Sequence, residues 1–202
     1  NRRSMGGPAD QGGQGTDNFY EAPITMDNQT YPTCEHYYQA QKFPGTDEES
    51  QGLHERIRNE PNVGKVYGLG QGSVHLLRPD WEHVKAFVMY TAVRAKYEQH
   101  PEILQELLAT RGKIVAAPST SNWQSLNGMI LERVREEFRP GGPLISERRM
   151  RALVKLTSEY TADAHGGRGV AKGVGITVCD TTTCDNSSSL TRSEGEGSVR
   201  RS

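Results

Sequence analysis

Residues 79–100 read PDWEHVKAFVMYTAVRAKYEQH, and their spacing decides the fold class. Pro79 and Asp80 mark a helix start, after which Trp81, Val84, Val88, Ala92 and Ala95 recur at three- and four-residue steps. Met89, Val93 and Tyr97 widen that stripe beyond the single apolar face of a surface helix, which predicts a helix central to the core. Downstream, Pro101 opens a second helix, PEILQELLATRG, expected to close at Gly112. Lys113 to Ala117 is expected as a short strand. Residues 121–138 then place Leu126, Ile130, Val134 and Phe138 one turn apart, with Asn127, Leu131 and Arg135 as a neighbouring row. Beyond the breaker Pro140-Gly141-Gly142-Pro143, the basic run ISERRMRALVKL predicts a last helix.

Upstream of the long helix, residues 19–26 and Tyr31 read as two extended pieces around the polar turn Asp27-Asn28-Gln29-Thr30. Thr33 is the expected N-cap of a helix through CEHYYQAQKF, stopped by Pro44-Gly45. On it Glu35, Gln39 and Lys42 fall at i, i+4 and i+7 and share one face. A helix over about 47–59 follows, with Asp47, Glu48 and Glu49 in its first turn, and a shorter one from Pro61. Gly68-Leu69-Gly70-Gln71-Gly72 is expected as a loop, because its glycine spacing fits no phosphate or dinucleotide signature. The fold class expected is mainly α (α+β): one helical domain with a few short strands.

The 202 residues divide by composition. Residues 1–16 hold no large apolar side chain except Met5, and residues 157–202 are dominated by Gly, Ser, Thr and charge, so both are expected to be disordered around a domain at 17–156. Those ends account for a mean hydropathy of -0.72. The net charge of -1 excludes a strong nucleic-acid footprint. Three cysteines, two of them in the polar tail, make no disulfide framework. With no membrane-length apolar run and no secretory signal in residues 1–30, an intracellular, cytoplasmic setting is expected.

Chemistry concentrates in Cys34-Glu35-His36-Tyr37-Tyr38, where a carboxylate, an imidazole and two phenols occupy the first turns of one helix. A glutamate there also complements the helix dipole. Two adjacent tyrosines, however, project from different sides of a helix and are buried together only when the helix is embedded. A carboxylate on an embedded helix acquires a shifted pKa, as general acids and bases do.

The ordered strings Asp17-Asn18-Phe19-Tyr20-Glu21-Ala22-Pro23-Ile24 and Tyr31-Pro32-Thr33-Cys34-Glu35-His36-Tyr37-Tyr38-Gln39-Ala40-Gln41-Lys42-Phe43 resemble the opening signature of the NADAR (YbiA-like) family. That signature is approximately S-N-F-Y-x-A-P-I followed by Y-x-[ST]-x-E-H-x-Y-Q-x-x-K. Lys65 in NVGKVYG, Trp81 with Met89, Lys96 in RAKYEQHPEILQELLAT, and Asn127 with Arg135 resemble later family segments in the same order. The resemblance implies an N-glycoside hydrolase that separates ribose from a base or amine. Its substrate would be a small phosphorylated ribosyl compound, either a riboflavin-pathway intermediate or an ADP-ribosyl group on a base. No metal and no organic cofactor are expected.

On that resemblance Glu35 and Trp81 are the catalytic candidates, and Asn18, Phe19, Lys42, Asn127 and Arg135 the substrate-binding ones. A carboxylate suits stabilisation of an oxocarbenium-like ribose or activation of water, and an indole suits stacking on a flat base. Trp81 serves equally as a core anchor, Lys42 as a solvated lysine at a helix end, and Arg135 as half of a surface salt bridge. Two departures stand out. Where the family carries an Asp before a Trp-Gly pair, residues 117–123 read APSTSNW with no acid, and Gly-rich sequence replaces the aromatic strand that precedes S-N-F. A catalytically weak or inactive nucleotide-binding module is therefore the alternative.

Overall fold

The structure is a computed structural model that describes residues 14–45, 47–116, 119 and 123–162. The disorder expected of residues 1–13 and 163–202, and most of the acid-free segment APSTSN, lie outside the described residues. The described residues all belong to one compact unit, Asn1–Val170; the second unit, Ala171–Ser202, lies outside them.

Two short strands, β1 (Ile24–Met26) and β2 (Gln29–Tyr31), pair antiparallel with Ile24 opposite Tyr31. Asp27 and Asn28 make the turn with φ of 50° and 63°, a left-handed conformation that Asp and Asn tolerate better than most residues. Seven helices follow among the described residues: α1 (Cys34–Ala40), α2 (Glu48–Asn59), α3 (Val63–Gly72), α4 (Trp81–Gln99), α5 (Pro101–Ala109), α6 (Trp123–Glu137) and α7 (Glu147–Ala162). The mainly α class is what the periodicities predict.

Helix α4 is the central element, touching β1, α1, α5, α6 and α7. Every residue of its predicted stripe is buried, and Met89, Val93 and Tyr97 are buried with them. The embedded helix expected from the paired tyrosines is α1, whose seven residues are all buried. Thr33 caps it: its Oγ1 accepts from the His36 amide at 3.2 Å. Asp47 and Asn62 cap α2 and α3 in the same way.

Four local expectations need correction. The stretch Gly68–Gly72 is not a loop but the last turns of α3, where the missing side chain of Gly70 lets this helix lie against α1. A Cβ at Gly70 would overlap the carboxamide of Gln39. Residues 113–116 form no strand; Gly128 of α6 packs against the Ile114 carbonyl instead. Helix α5 stops at Ala109 rather than Gly112, with Thr110 leaving the helix in an extended conformation. Gln14–Thr16, inside the stretch expected to be disordered, form a 3-10 turn. Its anchor is Lys96, whose buried ammonium donates to the Gly15 carbonyl at 2.5 Å and the Asp17 carbonyl at 3.2 Å.

Candidate active site

Glu35 lies in the first turn of α1 with 6% of its surface exposed. Gln39, one turn on, donates from Nε2 to Glu35 Oε1 at 2.6 Å. Burial raises the Glu35 pKa above the ordinary glutamate range; the Gln39 bond and the Lys42 charge pull it back, and the negative charge of Asp17 adds to the rise. A helix dipole acting alone would lower it, so desolvation is the larger effect here.

Helix α1 stops at Ala40 rather than running through Phe43, so Lys42 lies in the turn just past its end; it is buried, not the solvated helix-end lysine of the simpler reading. Its Nζ donates to the Gly70 carbonyl at 3.2 Å and sits 5.7 Å from the ring centres of both Tyr38 and Trp81. Burial lowers its pKa to about 8, against the pull of Glu35 and Glu82. Tyr38 is the hub of an aromatic wall, with Trp81 at 4.9 Å and Trp123, the first residue of α6, edge-on at 5.1 Å. Trp81 is thus at once a buried core residue and part of the wall beside Lys42.

Asn18 reaches the site through its backbone and its side chain. Its carbonyl accepts from the Glu35 amide at 3.1 Å, and its Nδ2 donates to Asn127 Oδ1 at 3.3 Å. Two of the candidates do not join this group. Phe19 is 40% exposed and lines a separate open cavity of about 560 Å³ with Arg58, Glu60 and the far face of α1, represented by Thr33 and His36. Arg135 is 1% exposed, so it is neither a surface ion pair nor a partner of Asn127 at the site. Its guanidinium donates to Glu136 Oε1 at 2.7 Å, Thr110 Oγ1 at 3.0 Å and the Gly112 carbonyl at 2.7 Å, which ties α6 to the end of α5.

His36, conspicuous beside Glu35 in the sequence, has both nitrogens occupied. Nδ1 is 2.8 Å from Thr33 Oγ1 and Nε2 is 2.8 Å from the Glu60 carbonyl, an arrangement that fixes the α1–α2 junction; burial lowers its pKa. Sequence reading singled out the stretch that holds Tyr38 but gave that residue no role, and it missed Trp123 and Gly70 as neighbours of Glu35 and Lys42. The one available signal was Gln39, already on the Glu35 face, whose packing demands a residue without Cβ opposite it. Among the described residues no group of three His, Cys, Asp or Glu side chains could hold a metal, and no helix is long and apolar enough to cross a membrane.

Known proteins share the family and the fold of this chain. The chain is 45% identical over 93 residues to N-glycosidase YbiA of Escherichia coli, covering 46% of this chain and 55% of that one. It is 33% identical over 124 residues to the chloroplastic riboflavin biosynthesis protein PYRR of Zea mays, covering 54% of this chain and 20% of that one. The chain thus spans about half the length of the bacterial relative it matches. The NMR structure of Escherichia coli YbiA superimposes with a TM-score of 0.54 at 37% identity, covering 61% of this chain and 76% of that one. The family model described as the NADAR domain matches residues 11–139, a span that includes β1, β2 and α1 through α6, and the chain belongs to that family.

Proposed function

We propose that this domain is an N-glycoside hydrolase that separates ribose from a base or amine in a phosphorylated ribosyl compound, with Glu35 as its acid. The observation that carries this reading is the Glu35 carboxyl itself, buried, held through one oxygen by Gln39 and drawn toward ionisation by the charge of the Lys42 ammonium just past the end of α1. A carboxyl whose proton is retained to higher pH than usual suits protonation of a departing ring or amine nitrogen. Lys42 supplies positive charge for a phosphate or for ribose hydroxyls, and the Tyr38–Trp81–Trp123 wall supplies π-faces for a flat base. The names of the relatives, an N-glycosidase and a riboflavin biosynthesis protein, support the reaction class, and a phosphoribosylated pyrimidine intermediate of the riboflavin pathway is one substrate of this reading. An ADP-ribosylated base is the other.

The test is a base-release assay in which both compounds are offered to the wild type and to Glu35→Gln. Free base from the wild type and none from the variant is the expected result. Binding of ADP-ribose without release of base would instead favour the nucleotide-binding module, the reading that the acid-free segment at 117–122 recommends.

A further inference from the structure

Amides in the first turn of a helix have no carbonyl of their own helix to donate to, so each needs a partner from outside. In α1 the Thr33 side chain takes the His36 amide. The Glu35 amide donates elsewhere, to the Asn18 carbonyl at 3.1 Å. Glu35 is thus tied through its own backbone to a distant segment of the chain, and whatever fixes that segment bears on the site.

Asn18 is held from two directions. Its side-chain Nδ2 donates to Asn127 Oδ1 on α6 at 3.3 Å. The carbonyl just before it, that of Asp17, accepts from Lys96 Nζ of α4 at 3.2 Å, and the same ammonium donates to the Gly15 carbonyl at 2.5 Å. Lys96 is 0% exposed and lies 5.1 Å from the centre of the Tyr97 ring; among the described residues it forms no ion pair.

A buried ammonium without a carboxylate is costly to a fold. Two carbonyls and a ring face offset part of that cost, whereas a methionine would fill much the same space without any of it. For stability alone, the charge offers little that an apolar side chain would not. What the ammonium does is bind the carbonyls on both sides of Thr16 at once, which gives residues 15–18 one conformation and sets the Asn18 carbonyl against the first turn of α1.

We propose that Lys96 is a positioning residue for the reaction: through Asp17 and Asn18 it fixes the turn that carries Glu35 relative to Asn127 on α6, at a cost in stability. The proposal rests on the hydrolase reading above. Lys96 acts through the backbone of others, and its effect falls on kcat, because it keeps the acid where the leaving nitrogen meets it. A misplacement of about 1 Å caused from outside the reacting groups costs on the order of 10²-fold in rate.

The experiment compares Lys96→Met with the wild type by urea midpoint, by hydrogen exchange at the Glu35 amide, and by steady-state base release from a phosphoribosylated pyrimidine and from an ADP-ribosylated base. The expected midpoint is equal to or above that of the wild type. The Glu35 amide should lose protection while the amides of α4 keep theirs. The expected kcat is lower by about 10²-fold with KM nearly unchanged, a split that loss of folded protein would not produce. A variant with wild-type kcat, or with an undiminished Glu35 amide, overturns the proposal and leaves Glu35 in place. A variant that fails to fold or unfolds at lower urea also overturns it, because the ammonium then serves the fold. A wild type that releases no base from either probe overturns the hydrolase reading and the role of Lys96 in it together.

Discussion

Gln39 Nε2 and Glu35 Oε1 are 2.6 Å apart across one turn of α1, and the opposite atom of that carboxamide, Gln39 Oε1, is buried with no hydrogen-bond partner. An unpartnered buried acceptor costs about 1–3 kcal/mol, so the amide is held in this orientation at the expense of stability. The hydrogen bond engages one of the two oxygens of the Glu35 carboxyl.

The same burial makes Glu35 a burden on the fold at neutral pH. Its folded-state pKa is raised, so the folded chain keeps a proton that the unfolded chain has already released. The stability this contributes is complete below the ordinary glutamate range and is lost as pH rises through the folded pKa. Glu35→Gln removes that dependence while conserving volume and the contact with Gln39. Thermal melts between pH 4 and pH 8 should show the variant gaining on the wild type as pH rises, while base release is abolished. A stability difference that does not change with pH would show that Glu35 is not desolvated.

Gly70 should be intolerant of a methyl group for a reason specific to the site. Alanine there drives the Gln39 carboxamide away from its place and with it the bond to Glu35. Overpacking costs about 1–3 kcal/mol, and the better helix propensity of alanine returns at most about 1 kcal/mol, so the net loss of stability is small. Activity should fall by more than the folded fraction does. Comparing kcat with the urea midpoint of Gly70→Ala separates the two, and a fully active variant would show that Gln39 does not position Glu35.

Lys42 gives a pH dependence of the opposite sign to that of Glu35. Its pKa is lowered by burial from 10.5 to about 8, so between those values the folded chain has lost a proton that the unfolded chain retains. Stability contributed by this group therefore rises with pH across that window. Relative to Lys42→Met, the wild type should become more stable from pH 8 to pH 10, as read from urea midpoints. No change in their difference would place the ammonium in water.

What the sequence displayed most clearly was periodicity over long stretches. The stripe of α4 and the row Leu126-Ile130-Val134 belong to helices, with Phe138 just past the end of α6, and Thr33 caps α1 as its residue type suggests. The Glu35-Gln39-Lys42 group was legible for the same reason, since two residues on one short helix and a third in the turn just past its end need only local geometry to meet. The glycine run at 68–72 misled because a helix is recognised by its side chains, and at Gly70 it is the absence of one that lets α3 approach α1. Nothing near residue 15 announces order either: its turn is fixed by Lys96, 81 positions away in the chain. Arg135 was misplaced through its row, because sharing a helix face with Asn127 does not reveal that the two side chains, two turns apart, meet different neighbours.

That last point leads to a test that separates structural from catalytic loss. Arg135 is buried with Glu136, each 1% exposed, and also donates to Thr110 and Gly112 at the end of α5. Removing one partner of a buried ion pair leaves an uncompensated charge and typically costs about 3–5 kcal/mol. Here the lower end applies, because Glu136 keeps Arg139 and the Leu144 amide as donors. Arg135→Ala should therefore lower the unfolding free energy by about 3 kcal/mol. Arg135→Lys should recover only part of it, since a single ammonium does not reproduce the planar fork that spans three acceptors. Base release per folded molecule should remain at the wild-type level in both. If Arg135→Ala instead kept its stability and lost turnover, the guanidinium would have to reach the substrate, and the separation drawn between the α5–α6 clamp and the Glu35 face would be wrong.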